Sequence, residues 1–343
     1  MHTHRVRWLA LALGALAAVG LTATALASQA KVTKIGIATP EKANDYGWNQ
    51  QGVRGARAAA KSASAALTVA DGVGYDNTES VLRQLAQAGN NFIIAQASGY
   101  NTVAPRIAQQ FKVPIISYDN PKGVIRNYMG DVETSSQQGA YLAGVLAAKK
   151  TKTKKLGIVI SAADTNWYKQ TGGFVAGARS VAKGLKFYFA QVGQAGYADA
   201  AGGKRVTQSV ISRGADVIFG MGDGASFGYL QAIETAKVGH KVWFIDVIGN
   251  KTPIDKKHVL LSSVIWDFTK VFKQAIKDID NGNFGKAPYN LTVKNGISLL
   301  KTKYIPASLW SVLETKRKAI GSGKIRIPLT PNRASVNKIL KGK

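Results

Sequence analysis

The chain contains no cysteine. That excludes a disulfide framework, a thiolate metal site and an N-terminal lipid carried on cysteine. Histidine is scarce as well. Beyond the first thirty residues only His240 and His258 remain, and they are not spaced as metal ligands. No nucleophile–base pair stands out. There is no G-x-x-x-x-G-K-[ST] phosphate loop. Gly220-Met221-Gly222-Asp223-Gly224 fails as a dinucleotide fingerprint, because Phe227 stands where the third glycine would be needed. These absences speak against an enzyme and predict neither a cofactor nor a metal. Acidic residues are few too, 19 against 46 Lys and Arg, for a net charge of +27. The excess is mostly scattered lysine without interleaved aromatics, which argues against a nucleic-acid partner.

What is present begins with an export signal. Arg5 and Arg7 precede an apolar run from Trp8 to Ala27, which closes on Ala25-Leu26-Ala27. This small-x-small ending predicts a signal peptide over 1–27, cleaved before Ser28, rather than a retained membrane anchor. The expected product is a soluble, monomeric periplasmic protein. About 315 residues would then remain, more than one ordinary core accommodates, so two domains are expected.

Short apolar runs alternate with amphipathic stretches. Strand candidates are Thr33–Thr39, Ala66–Ala70, Phe92–Gln96 and Pro114–Tyr118, then Lys155–Ser161, Lys186–Gln191, Asp216–Gly220 and Lys241–Asp246. Thr78–Ala88 reads as a helix, with Val81, Leu82 and Leu85 on one face and Gly89 at its stop. Such alternation predicts parallel sheets covered by helices on both faces.

An internal repeat sharpens this. Gly89-Asn-Asn-Phe-Ile-Ile-Ala-Gln-Ala-Ser-Gly99 parallels Gly214-Ala-Asp-Val-Ile-Phe-Gly-Met-Gly-Asp-Gly224. Upstream, Gly36-Ile37, Trp48 and Gly55-Ala56-Arg57 parallel Gly157-Ile158, Trp167 and Gly177-Ala178-Arg179. Downstream, the strand ending at Asp119 parallels one ending at Asp246. The order is the same and the spacing nearly constant, so the chain holds two copies of one α/β lobe. We expect a first lobe over 28–134, a second over 135–262, and a tail over 263–343. That tail crosses between lobes through a helix at Phe268–Ile279 and strands near Tyr289–Val293 and Gly296–Leu300, then ends in a loosely attached basic segment.

Ligands of open parallel sheets bind beyond the carboxyl ends of the strands. The loops there carry Asp45, Trp48, Asn49, Ser98, Tyr100 and Asp119 in the first copy. In the second they carry Asp164, Trp167, Tyr168, Gly222, Gly224 and Asp246. Tryptophan faces stack on planar ligands, Asn and Asp read polar edges, and glycine lets backbone amides approach. Asp45 and Asp164 also suit helix N-caps. The set predicts a planar, polar heterocycle or a sugar.

The residues resemble the basic membrane protein family, purine-nucleoside-binding components of ABC importers. The likeness rests on Gly47-Trp48-Asn49-Gln50, Gly139-Ala-Tyr-Leu-Ala-Gly144, Gly173-Phe-Val-Ala-Gly177-Ala178 and Gly214-Ala-Asp-Val-Ile218. It implies a type I periplasmic-binding fold: two Rossmann-like lobes with parallel sheets, joined by a hinge of three crossovers. It also implies a purine between aromatics, with Trp48 as one stacking face, Asn49 reading the base and Asp246 resembling a ribose ligand. The second stacking aromatic falls near Gln170, so Trp167 or Tyr168 would replace it. A ribose-contacting lysine is replaced by Trp266. The family further implies an ABC permease as partner and a purine nucleoside or nucleobase as ligand. A sugar or furanose-signal binder, serving a permease or a chemoreceptor, is the rival reading.

Overall fold

The computed structural model describes residues 31–342; the signal-peptide segment and its cleavage point lie outside them. Strand β1 (Lys34–Thr39) opens a parallel sheet with β2 (Ala66–Asp71), β3 (Phe92–Ala95), β4 (Ile115–Tyr118) and β5 (Met129–Thr134). Between them run helices α1 (Trp48–Ala63), α2 (Thr78–Gln87) and α3 (Ala104–Phe111). Helix α4 (Ser136–Lys150) then leaves for the second lobe. There β6 (Lys155–Ile160), β7 (Lys186–Gln191), β8 (Val217–Met221), β9 (Trp243–Ile248) and β10 (Leu260–Trp266) alternate with α5 (Thr165–Arg179), α6 (Ala200–Ser212) and α7 (Ala225–Glu234).

Helix α8 (Thr269–Asp280) returns to pack on α1, and β11 (Tyr289–Leu291) adds in parallel to β5. β12 (Ile297–Leu299) goes back to pair antiparallel with β10. The sheets are ordered β11-β5-β4-β3-β1-β2 and β12-β10-β9-β8-β6-β7. They are two copies of one topology, each finished by a strand from the tail. The chain thus passes between lobes three times, and the passages are stitched together: the Ser135 amide donates to the Leu291 carbonyl, and the Asp267 amide to the Gly296 carbonyl, both at 2.9 Å.

Alternation along the strands builds the two-faced cores. Phe92 and Ile94 point to one face of the first sheet, with α1; Ile93 and Ala95 point to the other, with α2 and α3. In the second lobe Val217 and Phe219 face α4 and α5, while Ile218 and Phe244 face α6 and α7. Each of the larger ones, Val, Ile or Phe, contributes about 1.5–3 kcal/mol when fully buried.

Two expectations are corrected here. Strand β9 does not stop at Asp246 but continues through Val247 to Ile248. Register shows the true equivalence. Ile115 lies opposite Ile93 and Phe244 opposite Ile218, so the counterpart of Asp119 is Ile248, and Asp246 matches Ser117 inside the sheet. The C-terminal end is not loosely attached either. Helices α9 (Ala307–Gly321) and α10 (Arg333–Leu340) close the chain. Val336 of α10 is buried, and Arg179 on α5 donates to the carbonyls of Ile339 and Leu340. No helix among the described residues is long and apolar enough to cross a membrane.

Candidate functional site

A cavity of about 80 Å3 lies between the lobes at the carboxyl ends of both sheets. Its shape depends on how α1 and α5 begin. Asp45 caps α1: its carboxylate accepts hydrogen bonds from the Gly47, Asn49 and Gln50 amides at 2.9–3.0 Å and from Asn49 Nδ2 at 2.8 Å. That clamp presents Trp48 to the cleft. The indole Nε1 donates to the Gln96 carbonyl at 2.7 Å, and the ring meets Tyr118, Phe268 and Trp266 edge-on at 4.8, 5.3 and 6.1 Å. Asp164 caps α5 in the same way, accepting from the Asn166 and Trp167 amides at 2.7 and 3.1 Å and from the Tyr197 hydroxyl at 3.0 Å. Trp167 is held by Nε1 donating to Ser161 Oγ at 3.0 Å.

Of the residues expected at the site, Trp48, Asn49, Ser98, Asp119, Trp167 and Trp266 line the cavity. The others do not. Asp45 is the helix cap just described. Tyr100 is fully buried and donates its hydroxyl to the Gly74 carbonyl at 2.6 Å; its ring instead supports Tyr75, which does line the cleft. The Tyr168 carbonyl accepts from Thr330 Oγ1 at 2.5 Å, and its ring belongs to the core. Gly222 is a packing glycine, since a Cβ there would come within 2.8 Å of the Tyr229 hydroxyl oxygen. Gly224 starts α7 against Ala198. Asp246 is fully buried, paired with Lys251 and accepting from Ser226 Oγ at 2.9 Å. Gln170 is fully buried and no part of the wall.

The remaining wall includes Glu41, Tyr75, Asp164, Asn166, Tyr197, Asp223 and Ile248. Tyr75 and Tyr197 follow β2 and β7, equivalent strands at the sheet edges. The same strand-end rule finds them once those two loops are included. Asp223 lies between the two glycines that had attracted notice.

Several features set the cavity apart. Asp119 and Ile248, which end equivalent strands, both hold left-handed backbone, φ 58° and 68°. For the β-branched Ile248 that conformation is a strained outlier of the sort that concentrates at ligand sites. Two buried polar atoms on the wall have no partner, Trp266 Nε1 and Asp223 Oδ1. Three carboxyls of the wall titrate high. Asp119 is pushed up to about 7 by desolvation in the cleft and by the charges of Asp164 and Glu133. Asp223 is raised well above the carboxylate range by burial, then by Asp45 and Glu41. Glu41 is raised by burial and Asp45. The lobes touch across the cleft: Asn166 Nδ2 donates to Asp119 Oδ1 at 3.3 Å.

Residues 32–321 match the family described as PnrA-like ABC transporter substrate-binding proteins. The chain belongs to that family. It is 27% identical to the nucleoside-binding protein BmpA of an ABC transporter in Lactococcus lactis, over 94% of this chain and 99% of that one. Basic membrane protein A2 of Borrelia garinii is 26% identical over 76% of this chain and 77% of its own. Among solved structures, an ABC transporter solute-binding protein from Conexibacter woesei superposes with a TM-score of 0.74 at 19% identity, over 88% of this chain and all of that one. The fold is therefore that of the solute-binding proteins, and the family is one of ABC transporter substrate-binding proteins.

Proposed function

We propose that this chain is the periplasmic capture component of an ABC importer and that its lobes close on a purine nucleobase or nucleoside. One observation carries the reading: a tryptophan-lined cavity whose wall holds one buried donor without a partner, Trp266 Nε1, and one buried acceptor without a partner, Asp223 Oδ1. An unsatisfied buried group costs about 1–3 kcal/mol, so a ligand that meets both regains that amount. A purine presents ring nitrogens as acceptors, N–H groups as donors and two flat faces for Trp48 and Trp167. At about 10–15 Å3 per water, the cavity has room for about five to eight waters, the scale of a free base before the lobes open further. Trp266 stands where the resemblance places a ribose-contacting lysine, which also favours the base. The name of the Lactococcus relative is consistent with a purine-type ligand. Released by cleavage before Ser28, the protein acts as a monomer, and the closed form docks on a permease.

Titration calorimetry with adenine, hypoxanthine, guanine, their ribonucleosides and ribose tests this. The expected result is a Kd in the low micromolar range or below for at least one purine, about −8 kcal/mol. If every purine binds more weakly than about 100 μM, or if ribose alone binds, the purine assignment is wrong.

A further inference from the structure

The acid–base groups around the cavity are all acids. Glu41 and Asp119 come from the first lobe, Asp164 and Asp223 from the second, and no Lys, Arg or His lines the wall. This runs against the composition, in which basic residues outnumber acidic ones by 46 to 19. Two lysines close in sequence to wall residues are paired elsewhere. Lys251 is fully buried in its pair with Asp246, and Lys42 pairs with Asp71 at 3.0 Å. Lys169 acts on Asp119 from α5 without lining the cavity.

We propose that the captured ligand carries a positive charge: a cationic aromatic heterocycle held between tryptophan faces and carboxylates of both lobes. The proposal rests on the reading of this cleft as a site for a planar heterocycle, and adds the sign of its charge. Two independent observations carry it. Asp223 Oδ1 is buried without a hydrogen-bond partner on the cavity wall. Tryptophan rings, of which Trp48, Trp167 and Trp266 supply three, are the best aromatic faces for a cation. Closure explains why the sign matters. Shutting the cleft brings carboxylates of opposite lobes together while removing water, which is unfavourable for uncompensated charge. A cation between them turns that repulsion into attraction and couples binding to closure.

The test uses the purified chain at about pH 7.5, with tryptophan fluorescence and calorimetry, on two matched pairs. One pair is 7,9-dimethyladeninium against neutral 9-methyladenine; the other is 1,3-dimethylbenzimidazolium against neutral 1,3-dimethylindole. The cation is expected to bind about tenfold or more tightly within a pair, and Asp223→Asn and Asp119→Asn should each reduce that preference. Thermal unfolding of both variants confirms that they fold. Equal affinities within both pairs, or a preference for the neutral members, would overturn the charge proposal while leaving a purine ligand standing. Binding of the benzimidazolium alone supports the charge proposal, and the purine assignment is then decided by the nucleobase and nucleoside titrations. No binding by any of the four overturns the charge proposal.

Discussion

The ammonium of Lys251, in the second lobe, donates to the main-chain carbonyl of Tyr46, in the first, at 3.0 Å. The same ammonium pairs with Asp246, and both side chains are fully buried. Close by, Gly249 admits the Tyr46 carbonyl where a Cβ would sit 1.9 Å from its oxygen. A buried ion pair in one lobe therefore doubles as a contact that closes the cleft. Lys251→Met would leave the buried Asp246 carboxyl without its counter-charge, which costs about 3–5 kcal/mol. Chemical denaturation at about pH 7.5 should show that loss, and the double variant Lys251→Met with Asp246→Asn should recover most of it. A double variant as unstable as the single one would show that the Tyr46 contact, not the unpaired carboxylate, dominates.

Trp266 allows a cleaner separation of binding from stability. Its indole is buried, and its Nε1 has no partner. Trp266→Phe keeps an aromatic wall, removes the donor and leaves a small void where the second ring was. Loss of the orphaned donor offsets part of that void, so fold stability should fall by about 1 kcal/mol or less. Ligand affinity should fall about tenfold, the value of one buried hydrogen bond. If affinity survives intact, no ligand acceptor meets that nitrogen.

The cleft carboxyls predict opposite pH trends for the empty and the loaded protein. Asp119 is raised to about 7, and Asp131, on β5 and outside the cleft wall, to about 6, each chiefly by desolvation. A carboxyl raised in the folded state holds its proton there while the unfolded chain has lost it. Stability therefore falls as pH rises from about 4 to about 7. Denaturation of the unliganded protein between those limits should show the decline, and Asp119→Asn should flatten it. Binding of a cation should instead strengthen over the same range, as Asp119 gives up its proton. Calorimetry at about pH 5.5 and pH 8 measures that difference.

How far the sequence reached the site follows from which signals are local. Trp48, Trp167 and Asp119 lie directly after strands whose apolar runs are unmistakable, so the strand-end rule finds them. The reading of Asp246 failed for an equally local reason. An aspartate inside an apolar run looks like its end, whereas burial with Lys251 lets β9 carry it for two more residues. Tyr75 and Tyr197 escaped because the edge-strand loops were passed over, although the repeat marks them as counterparts. Gly222 and Gly224 drew notice for their backbone freedom, yet Gly222 serves side-chain packing and Asp223 between them lines the cleft. The basic tail read as loose because its charges hid Val336, whose burial ties α10 to α5.

The glycines that carried the family resemblance prove to be packing residues. Helices α4 and α5 lie with their backbones in contact. A Cβ on Gly144 would fall 2.0 Å from the Phe174 carbonyl oxygen, one on Gly177 2.0 Å from that of Tyr141, and one on Gly173 2.3 Å from that of Gln137. In each case the obstacle is backbone, which cannot rotate away. Helix α4 leads from the hinge into the second lobe, and α5 carries Trp167, so this contact fixes where one ligand wall stands relative to the hinge. Gly177→Ala should therefore cost about 3 kcal/mol or more, at or beyond the upper end of ordinary overpacking. It should also weaken ligand binding although it touches no ligand. Paired denaturation and calorimetry check this. A variant that loses stability but binds with unchanged affinity would show that Trp167 is positioned by its own cap at Asp164 and not by the interhelical contact.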